Sequence, residues 1–432
     1  MASLLHKSFA FNFLLILSFF FVFAYSLEFN SNGEYTILQF TDFHLCEDDA
    51  SDAITLSLMK QMLATVKPDL VVVSGDAVAG YRGWRFELFT HHGFFKNCWK
   101  KFTAPFAEFN VPYAYTLGNH DADGDLNREQ IAILDQTNPL SVRKNSTGME
   151  NSLTFTFPIY SSKIEGQPAA NIWMFDTGSL GCAGIEDSWG CIEQPQLEWY
   201  DKESLNFKKS YGENINHIAF IHIPIPEYVN VYDNGEFYGV KFDGIGCPHV
   251  NTGFFDHVKS NGDITAMFAG HDHNNDYGGF YEDVELVYGR KSGQGSYGNV
   301  LGSRVIKFKE ELDSEGKLNV TRSHYVIYAN GTIRGTTKME KREGVKEGHC
   351  PKAGDNWFLL LRATRIFDHV LMVLEIILVM ILVLLVCRTA RKHSKIGKFS
   401  KFEDEVAGGA QTQPATTVDS VTTAPKASSL GI

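Results

Sequence analysis

Three features of the sequence predict a layered α/β fold. Short apolar runs of strand length alternate with stretches at helical spacing. Five of these runs end directly in clusters of Asp, Asn and His. No repeat or long linker divides residues 27–352. Strands separated by helices give this alternation, and in open α/β sheets ligand-binding residues gather just past the strand C-termini.

The elements follow in order. Glu34–Phe40 (EYTILQF) alternates as a strand and runs into Thr-Asp-Phe-His. Ile54, Leu58, Met62 and Val66 share one face of a helix over Ala53–Val66, since residues three and four apart lie on one side. Leu70–Val73 (LVVV) reads as a buried strand ending at Ser-Gly-Asp. VPYAYTLGNHD is a strand followed by a polar loop, and DLNREQIAILDQ starts a helix at Asp125, whose side chain caps it. NIWMFDTG, HIAFIHIP and ITAMFAGHDH are further strands with polar ends.

The chain has 432 residues, 44% hydrophobic and 21% charged, as expected of a folded globular protein. Its formal net charge of -12 argues against nucleic-acid binding. The ends differ from the middle. An apolar run over Leu4–Phe23, followed by Ala24-Tyr25-Ser26, reads as a signal peptide over 1–26. Val370–Cys387 is apolar but for Glu375, so a transmembrane helix is expected over 367–387, with Glu375 near the interface. Six Lys and Arg between Arg388 and Lys401 predict a cytoplasmic tail over 388–432, mostly disordered. The expectation is thus a single-pass type I membrane protein with residues 27–352 luminal or extracellular. Six cysteines precede the apolar segment, an even number that can pair fully; Cys182 and Cys191 flank a short glycine-containing loop and form the best pair. Asn145, Asn319 and Asn330 head glycosylation triplets.

The strand-end clusters are Asp42 with His44, Gly75-Asp76, Asn119-His120-Asp121, His222, and His271 with His273. They offer carboxylate, imidazole and amide donors without cysteine. That set suits manganese, iron or zinc at a mixed nitrogen/oxygen site. A single such histidine is usually structural; convergence of all the clusters is the signature of a metal site.

In order and spacing, "DFH…GD…GNHD…H…GHDH" resembles the calcineurin-like metallophosphoesterases over about Tyr35–Ile306. Within that family it looks closest to divergent purple-acid-phosphatase-like proteins. The resemblance implies a four-layer α/β/β/α sandwich holding two metal ions about 3.5–4 Å apart. It also implies a division of ligands: Asp42, His44 and His273 on one ion, Asn119, His222 and His271 on the other, with Asp76 bridging. One residue departs from the purple enzymes. They carry a tyrosine ligand three positions after the bridging Asp, where this chain has Ala79, with Tyr81 two residues later. An iron–tyrosinate centre is therefore not expected.

The resemblance further implies phosphoester hydrolysis, monoester more than diester. Two cations neutralise the phosphate and lower the pKa of a shared water to give the attacking hydroxide. His120 is the expected general acid and Asp121 the carboxylate that orients it; a loop-capping role is the alternative for Asp121. Arg82 and Arg85 read as solvated charges, with substrate phosphate as the alternative. Ser146–Glu150 and the Cys182–Cys191 loop are candidate pocket walls. The competing functional reading is a catalytically inactive metal-binding receptor or sensor.

Overall fold

The computed structural model describes residues 27–82, 93–150, 152–212, 215–336, 346–351, 374 and 376–389. The chain divides into two compact units, Met1–Leu361 and Arg362–Ile432.

In the first unit, β1 (Glu34–Phe40), β2 (Leu70–Ser74) and β3 (Tyr113–Thr116) lie parallel, side by side. β4 (Thr147–Gly148), β5 (Phe155–Tyr160) and β6 (Pro168–Met174) open a second sheet. β7 (Leu180–Cys182) and β8 (Ile185–Trp189) form a separate two-stranded ribbon. β9 (Asn216–Phe220), β10 (Phe237–Tyr238), β11 (Ile264–Ala269), β12 (Gly278–Tyr281) and β13 (Val284–Tyr288) complete the second sheet. The long antiparallel pair β14 (Gly302–Leu312) and β15 (Leu318–Tyr328), with β16 (Ile333–Arg334), returns to the first. The strand orders are β16-β15-β14-β1-β2-β3 and β10-β12-β13-β11-β9-β6-β5-β4.

The helices are α1 (Asp49–Val66), α2 (Phe94–Glu108), α3 (Arg128–Gln136), α4 (Gln194–Tyr211), α5 (Glu227–Asp233) and α6 (Phe254–Asn261). Side-chain alternation explains the layering. On β6, β9 and β11, Ile172, Ile218 and Phe268 join one core with Val71 and Phe40 of the first sheet and Met59 and Phe102 of α1 and α2. Their neighbours Trp173, Ala219 and Met267 point the other way, into a second core with Tyr200 of α4 and Phe254 of α6. Each fully buried residue of this kind contributes about 1.5–3 kcal/mol. The result is the expected α/β/β/α sandwich. β2 is buried along its whole length, as a parallel strand covered on both faces must be.

Local chemistry shifts some boundaries. α1 begins at Asp49, not Ala53, because the Asp48 side chain accepts hydrogen bonds from the Ala50 and Ser51 N–H groups. The buried stripe is then Thr55, Leu58, Met59, Met62 and Leu63, and Ile54 is exposed. Asp125 does not cap α3. Asn127 does, in a reciprocal capping box with Gln130. Asp125 instead accepts from Gly93 N–H and Phe95 N–H at the start of α2, each at 2.8 Å. Disulfides join Cys46 to Cys98, Cys182 to Cys191 and Cys247 to Cys350. Asn145, Asn319 and Asn330 are exposed.

In the second unit, residues 376–389 are helical and exposed. Among the described residues no helix is long and apolar enough to cross a membrane. This corrects the expected transmembrane helix over 367–387, and with it the single-pass location with a luminal or extracellular domain and a cytoplasmic tail. Residues 1–26, 367–373, 375 and 390–432, where the expected leader, the remainder of that helix and most of the tail fall, lie outside the described residues.

Candidate metal centre

The loops after β1, β2, β3, β9 and β11 bring Asp42, His44, Asp76, Asn119, His222, His271 and His273 together at one edge of the two sheets. Six of the seven are buried and His271 is partly so. Donor atoms of Asp42, His44 and His273 lie within 4.8 Å of one another, as do those of Asp42, Asp76 and His222. One Asp76 oxygen, Oδ2, stands 3.6 Å from His44 Nε2 and 3.4 Å from His222 Nε2. It therefore reaches a histidine of each expected ligand set. Asn119 Oδ1 sits 3.0 Å from His222 Nε2 and 2.9 Å from His271 Nδ1. His44 Nε2 and His273 Nε2 face each other at 3.2 Å.

Outer partners fix which ring nitrogens point inward. His222 Nδ1 lies 2.9 Å from the Ser74 carbonyl and His273 Nδ1 lies 2.8 Å from the Tyr297 carbonyl. A carbonyl only accepts, so both Nδ1 atoms carry hydrogen and both Nε2 atoms face the centre. Second partners set metal-binding tautomers in this way. Burial, countered by His273, leaves Asp42 well below the usual carboxylate range; burial countered by His222 does the same for Asp76. Burial pushes His44 down and His271 down to about 3. Ionised carboxylates and neutral imidazoles are the forms that ligate a cation. His222 is the exception: burial would depress it, but the Asp76 charge pushes it up to about 9. A cation at its Nε2 would displace a proton. The donor set fits divalent metal ions.

The backbone is shaped for this at a cost. Asp42, His44, Asp76 and His271 have φ of 55°, 48°, 51° and 79°, in the left-handed region that L side chains disfavour. Glycines make room beside them. A Cβ on Gly118 would strike the Asp76 carboxylate, and one on Gly75 the His222 ring.

His120 lies beside this group, partly exposed, its ring 5.7 Å from that of His44. Burial would lower its pKa, but Asp76 and then Asp123 more than offset this and leave it raised. Its orienting carboxylate is Asp123, not Asp121: Nδ1 lies 2.9 Å from Asp123 Oδ2. Asp121 is fully buried and serves the backbone. Oδ2 accepts from Asp76 N–H at 2.9 Å and Gly118 N–H at 2.7 Å, and Oδ1 from Val78 N–H at 2.9 Å. Burial and the Asp76 charge push it up to about 6. The signal for Asp123 was present in the sequence as an acid three residues after His120 in one turn.

Ala79 is buried, and the Tyr81 hydroxyl donates to Glu47 Oε2 at 3.1 Å. Arg82 pairs with Glu47 at 3.5 Å; Arg85 lies outside the described residues. Arg128 braces the Asn119 loop, donating to the Gly118 carbonyl at 2.8 Å while pairing with Asp176. Ser146–Glu150 runs along β5, held by Arg143. The Cys182–Cys191 ribbon reaches the centre through Trp189, whose ring lies 4.5 Å from that of His271.

Known proteins resemble this chain in sequence and in fold. A protein from Arabidopsis thaliana named "Probable inactive purple acid phosphatase 29" is 28% identical over 332 residues, covering 69% of this chain and 82% of that one. "Phosphatase DCR2" of Saccharomyces cerevisiae is 27% identical over 283 residues, covering 59% of this chain and 46% of that one. A dimetal phosphatase structure from Danio rerio superposes with a TM-score of 0.46 at 10% identity, covering 71% of this chain and 99% of that one, too distant to carry a functional comparison. The profile of the Calcineurin-like phosphoesterase family matches residues 35–275, more than half of the sequence, and the chain belongs to that family.

Proposed function

We propose that this protein is a metal-dependent phosphoric ester hydrolase with two cation positions, acting on monoesters in preference to diesters. The observation that carries the reading is Asp76 Oδ2 poised between His44 and His222. Of the carboxylate, amide and imidazole donors gathered here, only a carboxylate is anionic and able to serve two cations at once. Asp42, His44 and His273 would hold one ion, and Asn119, His222 and His271 the other. When bound, the cations supply charge neutralisation for the phosphate and an acidified water.

The protein's own groups do the rest. Asp123 holds Nδ1 of His120, which leaves Nε2 free to present a proton to the departing ester oxygen. Asp121 and Arg128 fix the Gly118–Asn119 turn that carries both a ligand and this acid. Preorganisation of this kind is what positions a proton donor within reach of a leaving group.

A second reading, a metal-binding protein without turnover, is favoured by the names of the Arabidopsis relatives. One experiment separates the two. Metal content is measured on the purified protein together with hydrolysis of p-nitrophenyl phosphate and bis-p-nitrophenyl phosphate. Two bound ions with faster monoester hydrolysis is the expected result. Bound metal with neither ester cleaved would establish the silent reading, and absence of metal would overturn both.

A further inference from the structure

We propose that an aromatic collar around the metal centre selects phosphate monoesters whose leaving group is a flat, uncharged ring, that is, aryl phosphates. This rests on the hydrolase reading and narrows its substrate class.

Three aromatic side chains from separate segments each stand against a different histidine. The Tyr81 ring lies 5.0 Å from His120, edge to face. Trp189 lies 4.5 Å from His271 at 80°. Tyr297 stacks on His273 at 4.0 Å and 16°. Tyr297 is 48% exposed, so the ring surface not stacked on His273 is open to solvent; Tyr81 and Trp189 are partly exposed.

Each ring is held in place. Trp189 stands two residues from Cys191 in the disulfide-closed ribbon, and a Cβ on Gly190 would strike the Thr177 carbonyl. Tyr81 is tied to Glu47. The Tyr297 carbonyl accepts from His273 Nδ1, and its hydroxyl accepts from His273 N–H at 3.3 Å. Rigid aromatic walls bind with little loss of conformational freedom. Charge points the same way. Among the described residues, Arg82 is engaged by Glu47 and Lys291 donates to the Gly295 carbonyl. Asp187 shares the Trp189 face of its ribbon, two residues away on one strand, and pairs with His249 at 3.7 Å. An uncharged ring would meet the three aromatic faces.

The test compares kcat/KM for phenyl phosphate and cyclohexyl phosphate in the metal-loaded protein, in Trp189→Leu and in Tyr297→Leu. Leaving-group acidity is common to all three proteins and cancels in the comparison. Loss of one aromatic contact should lower the aryl-to-cyclohexyl ratio about threefold to tenfold. An equal loss on both esters would overturn the collar and leave the rings as supports for ligand histidines. Calorimetry with phenylphosphonate and cyclohexylphosphonate, neither of which can be hydrolysed, reads the collar without turnover. Tighter binding of the aryl compound by the unmodified protein, reduced in Trp189→Leu, supports it; equal affinities refute it. A retained aryl preference with no hydrolysis would sink only the hydrolase reading.

Discussion

Replacing Asp121 with asparagine separates a structural role from a catalytic one. The carboxylate takes three backbone N–H groups, from Asp76 and Gly118 on one oxygen and Val78 on the other. Asparagine keeps only one oxygen. Placed to serve Asp76 and Gly118, it turns its NH2 toward Val78 N–H and strands a buried donor, at about 1–3 kcal/mol. The two remaining bonds change from charge-assisted to neutral, costing roughly 1 kcal/mol each. Neutral asparagine also escapes the burial and Asp76 repulsion that push the carboxyl up to about 6, which offsets the weaker bonds, so Asp121→Asn should lose about 1–3 kcal/mol in urea unfolding at pH about 8, from the stranded donor. Metal content should fall as well, because the backbone of ligand Asp76 is one of the three attachments. Asp123→Asn is the control: it touches the His120 ring and should leave both stability and metal content near normal. If Asp121→Asn kept full stability and metal while losing turnover on poor leaving groups, the backbone-staple account would be wrong and Asp121 would be the partner of His120 after all.

Further outcomes follow from the same geometry. His120→Ala should slow hydrolysis of phenyl phosphate at least tenfold more than that of p-nitrophenyl phosphate at unchanged metal content, since a proton matters most to a poor leaving group; equal losses on both would remove the acid role. Gly118→Ala should abolish metal binding, measured by elemental analysis, because the new methyl collides with the Asp76 carboxylate. Glu285 ties the two sheets, accepting from Tyr238 OH at 2.7 Å, Arg322 at 2.8 Å and His324 at 3.0 Å. Burial alone would raise it, but His324 and Arg322 bring it down to about 2. Its folded pKa lies below the unfolded value of about 4.3, so this stability is present above that value and is lost as pH falls toward the folded one, about 3 kcal/mol in all. Glu285→Gln should thus be about 3 kcal/mol less stable near neutrality, with the gap closing in acid; a gap independent of pH would refute the linkage.

The sandwich and the meeting of the seven donors were legible because they depend on order along the chain. LVVV and ITAMFA are strands whatever surrounds them, and polar residues at their ends must gather at one sheet edge. Partnership across loops was not legible. Asp121 follows His120 directly, yet its side chain turns to the β2 loop, while Asp123, three positions on, reaches the ring. Asp125 looked like a cap for the helix that follows it and caps the one that precedes it. α2 carries its signal in the helical spacing of Phe95, Trp99, Phe102 and Phe106, with Pro105 as an interior residue that helices usually avoid. The apolar segment near the C-terminus reads from composition as a membrane helix, whereas among the described residues no helix is long and apolar enough to cross a membrane.

The left-handed backbone at Asp42, His44, Asp76 and His271 bears on whether this molecule has retired from ion binding. Each position taxes the fold by roughly 1–3 kcal/mol, and glycine at any of them would relieve the burden. Two acids and two imidazoles occupy the awkward conformations, so the strain is concentrated where four donor side chains converge, and trading any one for glycine would gain stability while removing a donor.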